Sequence, residues 1–263
     1  ILSGCQITGD SSFSADSGTG VSVLGSIALV EILSTEIGWA VEAVVSDTSS
    51  RLKVTGSIFD HCTTGVLCKG GSEGIIVGSA FGRVSGINIS AEGANTQIYS
   101  DSCNITGKTS GGTAAGVGYK STTGATIDAT AGTVELTVTA ALCGATGDTS
   151  STTLMLHGTT LEDNTNDVQQ VATSTLRVTG GVFSNSEVSI ADSTNVEFAA
   201  FDEDSGFGFA IGKQSNVDQS LIQVLNGAAV TPTLDYKSGF YGHNGLVYSN
   251  QSSGEKTLLG VQS

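Results

Sequence analysis

The sequence predicts an all-β solenoid, and three observations lead to that fold class. Apolar residues recur every 22 positions along the first hundred residues, as in chains that stack equivalent side chains turn upon turn. A six-residue local pattern returns at the same interval. The composition, with 36 glycines and only 13% charged residues in a chain of 263, is poor in helix formers and suits short strands.

The apolar repeat runs along several parallel tracks. In the first block the tracks are Ile1, Val23, Val45, Leu67 and Ile89; Ile32, Val54, Ile76 and Ile98; and Ile37, Phe59, Phe81 and Cys103. In the second block they are Leu154, Leu176 and Phe198; Leu156, Val178 and Ala200; Leu161 and Phe183; and Val168 and Ile190. Each track predicts a column of side chains stacked along the axis of the solenoid.

The local pattern supports the tracks independently. Val54-Thr-Gly-Ser-Ile-Phe59 recurs as Ile76-Val-Gly-Ser-Ala-Phe81, and the same spacing returns in Val178-Thr-Gly-Gly-Val-Phe183. Short alternating runs such as Leu52-Lys-Val54 predict strands of a few residues, and Gly, Asn, Ser and Asp supply the corners. No amphipathic helix of useful length is evident. The features together predict a right-handed parallel β-helix, and a pair of β-sandwiches is the structural alternative.

We expect four segments along the chain. Residues 1–106 and 152–212 form two β-helix blocks. Residues 107–151 form a lateral insertion with irregular turns, because the interval from Ile98 to Leu156 exceeds two periods by more than half a period; the run from Ile127 to Val138 suggests a protruding hairpin or loop. Residues 213–263, where the tracks fade, form a C-terminal cap or oligomerisation segment that contains Pro232 and the aromatic residues Tyr236, Phe240, Tyr241 and Tyr248.

A family resemblance points in the same direction. The stretch Gly180-Gly-Val-Phe-Ser-Asn185 resembles the GG-x-F-x-N repeats of β-helical surface proteins and autotransporter passengers, and the wider chain resembles the shaft of a phage tailspike. This resemblance implies a virion or cell-surface rod with a homo-oligomeric, for instance trimeric, assembly. A solenoid of about ten turns spaced about 4.8 Å apart would form a rod about 50 Å long.

The composition and net charge of the chain limit the classes of partner and the cellular locations that we expect. The net charge is −15 and only ten residues are basic, which argues against nucleic-acid binding, since phosphate recognition needs clustered Lys and Arg. The sequence contains no run of eighteen apolar residues, so it predicts no membrane-spanning helix. An acidic chain with few aromatic residues suits an extracellular, cell-surface or virion setting. Ile1 begins on an apolar track, which suggests that a neighbouring part of a larger assembly covers that end.

The five cysteines do not predict a disulfide framework, because their number is odd and a chain of this length can bury a core without one. Cys62, Cys68 and Cys103 fall on or near apolar tracks and predict small buried side chains. No Cys-x-x-Cys pair accompanies them, so we expect no metal site at these thiols and no cofactor.

The sharpest catalytic hypothesis comes from stacking. Asp60 and His61 follow Phe59, and Arg83 occupies the corresponding place one turn later, so the three side chains are expected to meet on an outward face. Such a cluster could bind and cleave an acidic polysaccharide. Similar parallel β-helices include pectate lyases and polygalacturonases, but the chain lacks their Asn-Thr-Asp and Asp-Asp motifs, and Gly242-His-Asn-Gly245 matches their Gly-His-Gly only in part. The alternative is a solvated ion-pair cluster.

Two acidic clusters are also candidates. They are Glu162-Asp163-Asn-Thr-Asn-Asp167 and Asp202-Glu-Asp204. Oxygen-rich corners can hold calcium, and paired carboxylates can hydrolyse glycosides, but neither cluster matches a calcium-loading repeat or an EF-hand; ordinary polar turns are the simpler interpretation. Three sequons, at Asn88, Asn104 and Asn250, are candidate glycosylation sites, with Asn88 and Asn104 expected to face outward.

Three function classes follow. The first is a structural or adhesive rod that touches glycans or neighbouring proteins through its loops or tip. The second is a polysaccharide depolymerase, a lyase or a glycoside hydrolase, acting along the solenoid face. The third is an ice- or mineral-binding solenoid, which would need a regular array of threonines; Thr55 is followed one turn later by Val77. Because the catalytic motifs are absent, the sequence favours the non-enzymatic rod.

Overall fold

The structure is a computed structural model that describes residues 1–9, 18–26, 29–107, 113–171, 174–184, 187–190, 196–199, 202–203, 209–212, 220–224, 246–250 and 256–260. Over these residues the chain is all-β and contains no helix. Parallel strands stack as a β-solenoid of about seven turns with about 23 residues per turn. The predicted fold class is confirmed, and the expected count of about ten turns is too high.

Each turn of the solenoid contributes strands to three faces. Face A contains β1 (Leu2–Ser3), β4 (Leu29–Leu33), β7 (Arg51–Thr55), β10 (Glu73–Val77), β13 (Gln97–Asp101), β16 (Thr126–Thr130) and β23 (Val196–Ala199). Face B contains β2 (Gln6–Thr8), β5 (Glu36–Gly38), β8 (Ile58–Asp60), β11 (Ala80–Gly82), β14 (Asn104–Thr106), β17 (Thr133–Glu135) and β24 (Asp202–Glu203). Two long strands, β19 (Thr153–Glu162) and β21 (Thr175–Ser184), run through both faces and join them into one sheet.

Face C is a separate sheet. Its strands are β3 (Thr19–Leu24), β6 (Glu42–Asp47), β9 (Thr64–Lys69), β12 (Ile87–Glu92), β15 (Val117–Thr122), β18 (Thr139–Cys143), β20 (Asn166–Gln170) and β22 (Glu187–Ile190). Two antiparallel hairpins follow the solenoid, β25 (Phe209–Gly212) with β26 (Ser220–Val224) and β27 (Leu246–Asn250) with β28 (Lys256–Gly260). The predicted aromatic segment around Tyr236, Phe240 and Tyr241 lies outside the described residues.

Stacked apolar side chains fill the interior. Phe59 pairs with Ile37 on one side and with Phe81 on the other, and the two phenyl rings stack with centroids 4.6 Å apart. The next residue of this column is Ile105, since Phe81 pairs with Ile105. The prediction that Cys103 continues the phenylalanine track is therefore wrong. One additional residue at each of the two preceding corners, between β11 and β12 and between β12 and β13, shifts the register, so that Gly74 pairs with Ile98.

The track that begins at Ile1 is also wrong. Val45 pairs with Leu67, and Leu67 pairs with Ser90 rather than with Ile89. The interval from Leu67 to Ser90 is one residue longer than the interval from Val45 to Leu67. A track with a constant period therefore begins on one set of alternating side chains, with Val45 and Leu67, and ends on the other set, with Ile89. Ile1 itself is 84% exposed.

The expected insertion is distributed over two corners. Ile98 pairs with Ile127 and Ile127 with Leu154, so both of these turns are longer than the turns before them. The prediction of a protruding hairpin between Ile127 and Val138 is wrong, because β16 and β17 pair in parallel with both neighbouring turns. The additional residues lie before β15 and between β18 and β19 instead. The division of the chain at residues 106, 151 and 212 stays a prediction.

The corner between faces A and B explains the recurrent Gly-Ser of the local pattern. Its first residue has positive φ in turn after turn, as in Ser34 (47°), Gly56 (57°) and Gly78 (55°), a conformation that glycine adopts without a steric penalty. The following hydroxyls point inward and form a ladder. Ser57 Oγ accepts from the backbone N–H of Thr35, and Ser79 Oγ accepts from that of Ser57, each at 3.2 Å.

Candidate functional site

The corner after face B stacks the first candidate residues. Three consecutive strands of this face, β5, β8 and β11, are each followed by a residue in the left-handed conformation, namely Trp39 (φ 56°), His61 (53°) and Arg83 (53°). Non-glycine residues adopt this conformation rarely, and here the ladder imposes it at the same place in consecutive turns. The three side chains therefore leave the corner one above another.

Asp60 links two of these turns. Its carboxylate accepts from Arg83 Nε at 2.9 Å and from the Arg83 terminal nitrogen Nη2, and it lies 2.9 Å from His61 Nδ1. The neighbouring positions of its column are Gly38 and Gly82, so the carboxylate meets no competing side chain there. The candidates Asp60, His61 and Arg83 thus lie together, as their spacing predicts.

The same corner contains an aromatic contact that the sequence reasoning missed. The ring of Trp39 stacks on the imidazole of His61 with centroids 4.0 Å apart and planes 10° apart. The signal was present, since Trp39 precedes His61 by one period of the apolar repeat. Indole, imidazole, carboxylate and guanidinium thus form one patch, the Asp60 corner cluster (Trp39, Asp60, His61, Arg83). It offers an aromatic face and a half-exposed cation at the surface, groups that can contact sugars and anions.

Glu162 and Asp163 occupy the same corner of a later turn. Glu162 pairs with Glu135, which pairs with Thr106, and Asp163 has φ 50°. Glu162 is four strands away from Asp60 along face B, which corresponds to about 19 Å at a strand spacing of about 4.8 Å. The five catalytic candidates therefore form two separate groups rather than one site.

The rest of the first acidic cluster is structural. Asn164 is buried, and its Oδ1 accepts from Thr137 N and Thr137 Oγ1 at 3.0 and 2.7 Å. Its Nδ2 donates to Val134 O and to Asp167 Oδ1, both at 3.0 Å. These bonds fasten one turn to the next, which explains a polar residue at this buried corner.

Calcium binding stays a prediction. Over the described residues no group of three or more His, Cys, Asp or Glu side chains is placed to hold a metal ion. In the second acidic cluster, Asp202 and Glu203 form β24, and Asp204 lies outside the described residues.

The sequons differ in accessibility. Asn88 is fully buried and its Nδ2 donates to Val117 O at 2.9 Å. The expectation that it faces outward is therefore wrong. Asn88 lies at a bend in β12, where only the residues before and after it, Ile87 and Ile89, pair with the neighbouring strands. Asn104 is exposed on face B. Asn250 ends β27. Glycosylation at Asn104 and Asn250 stays a prediction.

The cysteines are free, and four of them are buried. Burial raises the pKa of the Cys68 and Cys143 thiols to about 12 and raises the pKa of Cys62 and Cys103. Thiols in this state are poor nucleophiles and poor metal ligands. Cys5 is exposed.

A second imidazole–carboxylate pair lies on face A, where the sequence reasoning proposed nothing. His157 Nε2 lies 3.5 Å from Asp128 Oδ1, and His157 Nδ1 is hydrogen-bonded to Thr179 Oγ1. His157 precedes Thr179 by one period of the apolar repeat, but Asp128 precedes His157 by a longer interval. Because this turn is longer than one period, the repeat alone does not bring Asp128 beside His157.

Comparison of the chain with known protein families, with curated proteins and with solved structures finds no match in any of the three. Over its described part, the chain has no helix long and apolar enough to cross a membrane. The function must therefore be inferred from the geometry of this chain alone.

Proposed function

We propose that this chain is a structural rod of an extracellular, cell-surface or virion assembly, in which it contacts glycans or neighbouring proteins through its loops or its tip. The observation that carries the proposal is the continuity of the stack. Parallel pairing runs without interruption from β1 to β23 on face A, and a ladder of this kind resists bending because each turn is hydrogen-bonded to the next.

The corners support the same function. Buried hydroxyl and amide side chains satisfy the backbone at successive bends, as Ser57, Ser79 and Asn164 do. The Asp60 corner cluster adds an ion pair between consecutive turns. Its carboxylate binds Arg83 of the next turn and lies beside His61 of its own turn, so the Asp60–Arg83 pair first of all connects the turns.

The assembly around the rod is part of this proposal. The net charge of −15 favours an exposed, well-hydrated object and disfavours a nucleic-acid partner. We place the chain in a homo-oligomer, with a trimer as the simplest arrangement, or in a larger assembly. No cofactor is required for this role.

Electron microscopy of the native particle or filament, decorated with an antibody against this chain, tests the proposal. The described turns should form a rod segment about 34 Å long, at about 4.8 Å per turn, fixed at one place in the assembly. Detection of the chain only as a free protein, with no particle or filament labelled, would contradict it.

A polysaccharide depolymerase is the second candidate, and the Asp60 corner cluster is the observation that favours it. Incubation with a panel of acidic and neutral polysaccharides separates the two functions. The rod predicts no release of oligosaccharides. Release that disappears in Asp60→Ala or Glu162→Ala, with Ser85→Ala as an exposed control, would establish the enzyme instead.

A further inference from the structure

Three outward side chains on face A lie in a row across three consecutive turns, with a hydrogen bond between the second and the third. They are Asp128 on β16, His157 on β19 and Thr179 on β21. The residues that flank them in sequence, including Ile127, Ala129, Leu156 and Val178, are buried in the core, so alternation along the strands fixes these three side chains on the outside.

Register brings them within reach of one another. His157 pairs directly with Thr179, and Asp128 pairs with Met155, two residues before His157 on the same strand. Asp128 and Thr179 therefore lie on opposite sides of the imidazole. Because parallel hydrogen bonds hold all three strands, the backbone positions are fixed before any ligand arrives.

The order of the contacts, from Thr179 to His157 to Asp128, is that of a nucleophile, a general base and a group that orients the base. Thr179 Oγ1 is hydrogen-bonded to His157 Nδ1, and His157 Nε2 faces Asp128 Oδ1 at 3.5 Å. With the ring proton on Nε2, the imidazole donates toward the carboxylate and accepts from the hydroxyl. This arrangement can activate a hydroxyl as a nucleophile.

The carboxylate is suited to the orienting role. Asp128 Oδ1 is buried and forms no hydrogen bond, so it is available to accept one from His157 Nε2–H, which lies 3.5 Å away. Active-site hydrogen bonds are often long before substrate binds, and a small rotation of the imidazole would close the 3.5 Å gap.

We propose that Asp128, His157 and Thr179 form an acyl-transfer site that hydrolyses carboxylic esters. Thr179 Oγ1 attacks the ester carbonyl carbon, and its proton passes to His157 Nδ1. That proton then goes to the departing alcohol, leaving an acyl-Thr179 ester. Water, deprotonated by His157, attacks this ester, releases the carboxylic acid and restores the hydroxyl. Asp128 is a positioning residue that holds the imidazole in the required tautomer.

The surroundings indicate the class of substrate. The side chains of Asp128 and His157 are 29% and 39% exposed on an open face, so the site suits an acyl group that projects from a large molecule, such as an O-acylated polysaccharide. Arg177 is exposed, lies two residues before Thr179 and points to the same side of β21. Its guanidinium therefore lies on the face where the oxyanion forms during attack and can contribute to stabilising it.

Hydrolysis of para-nitrophenyl acetate and of a chemically O-acetylated polysaccharide tests the proposal. The full chain should release acetate from both. His157→Ala and Thr179→Ala should each lower kcat by about 100-fold or more, whereas Thr179→Ser, which keeps the hydroxyl, should retain activity. Thr175→Ala, on the same strand and face, is the matched control and should behave as the wild type.

Two further measurements separate a catalytic role from a structural one. Asp128→Asn should lower kcat by about tenfold or more while KM stays unchanged, and Asp128→Glu should recover part of the loss. Mass spectrometry after brief exposure to the acetyl ester should find one acetyl group on Thr179 and none in Thr179→Ala. Thermal unfolding of each variant confirms that it is folded.

Two results would overturn the proposal. One is a wild-type chain that hydrolyses neither probe faster than the heat-denatured chain does. The other is full activity in Thr179→Ala, which would show that an exposed imidazole acts alone. Neither result bears on the rod, because the fold and its assembly do not depend on this site.

Discussion

The turns between Leu29 and Glu92 keep close to the mean length of the solenoid turn, whereas the two turns that meet at Ile127 are distinctly longer. We name these regions the regular turns and the long turns. In both regions the interior is filled by stacked apolar side chains, and neighbouring turns pair in parallel. They differ at the corners, where the regular turns need one left-handed residue and a buried hydroxyl, and the long turns accommodate additional chain.

The difference teaches that stacking, rather than period, is what the sequence encodes. In the regular turns a charged residue meets its partner about one period further along the chain, and so Asp60 and Arg83 meet at one corner. In the long turns Asp128 meets His157 across a longer stretch of chain. Substitutions in the two regions test this account.

The largest effect is expected in the interior of the regular turns. Phe81→Ala should lower the free energy of unfolding by about 3–5 kcal/mol, because it removes a fully buried ring and leaves a cavity against Phe59. Chemical denaturation measures this change. Ile58→Ala, at a half-exposed neighbour, is the control and should change stability by less than about 0.5 kcal/mol. Equal effects would contradict the stacked interior.

Two glycines at the corner between faces A and B compare the two regions, Gly132 at the second position of that corner and Gly78 at the first. Gly132, in the long turns, has φ 83°, and a Cβ there would clash with the carbonyl oxygen of Cys103. Gly132→Ala should therefore cost about 2–4 kcal/mol, through backbone strain and overpacking together. Gly78, in the regular turns, has φ 55° and open space around it, so Gly78→Ala should cost only about 1 kcal/mol. Thermal unfolding of both variants measures the two costs. A larger cost for Gly78→Ala than for Gly132→Ala would refute this packing.

The hydroxyl ladder of the regular turns has a smaller effect. Ser57→Ala removes an oxygen that accepts from Thr35 N and donates to Thr55 O, and it should lower the free energy of unfolding by about 1–2 kcal/mol. Urea denaturation beside Ser85→Ala, an exposed serine, is the measurement. A Ser57→Ala variant as stable as that control would show that the ladder adds nothing.

The smallest effect concerns a corner of the long turns and depends on pH. Partial burial acts to raise the pKa of Asp148, but hydrogen bonds from Thr152 Oγ1, Ser150 N and Thr123 N outweigh it and lower the pKa. A lowered pKa in the folded state adds stability above the unfolded value of about 3.9. This stability is lost as the pH falls through the folded pKa.

Asp148→Asn should consequently destabilise the chain at neutral pH, and the difference from the wild type should shrink as the pH falls below about 4. Unfolding curves between neutral and acidic pH measure it, with Thr149→Ala as the control at the same corner. A difference that stayed constant with pH would rule out this origin.

Much of the fold could be predicted from the sequence because stacking repeats residue types in order. Phe59 and Phe81 reveal their contact through an identical local pattern, and Asp60, His61 and Arg83 follow from it. The register after Phe81 could not be predicted, because a solenoid tolerates additional residues at its corners without changing the strands. Asn88 was misjudged since a bend places a polar side chain inside, where it bonds to a backbone carbonyl.

The cysteines allow the most direct test of the central claim, that regular and long turns enclose one continuous interior. Cys62 and Cys68 lie in the regular turns, Cys103 and Cys143 border or lie in the long turns, and Cys5 is exposed. Timed thiol labelling with mass spectrometry should find rapid reaction at Cys5 alone in the native chain, and at all five cysteines after denaturation. Labelling of Cys103 or Cys143 as fast as Cys5 would contradict the claim.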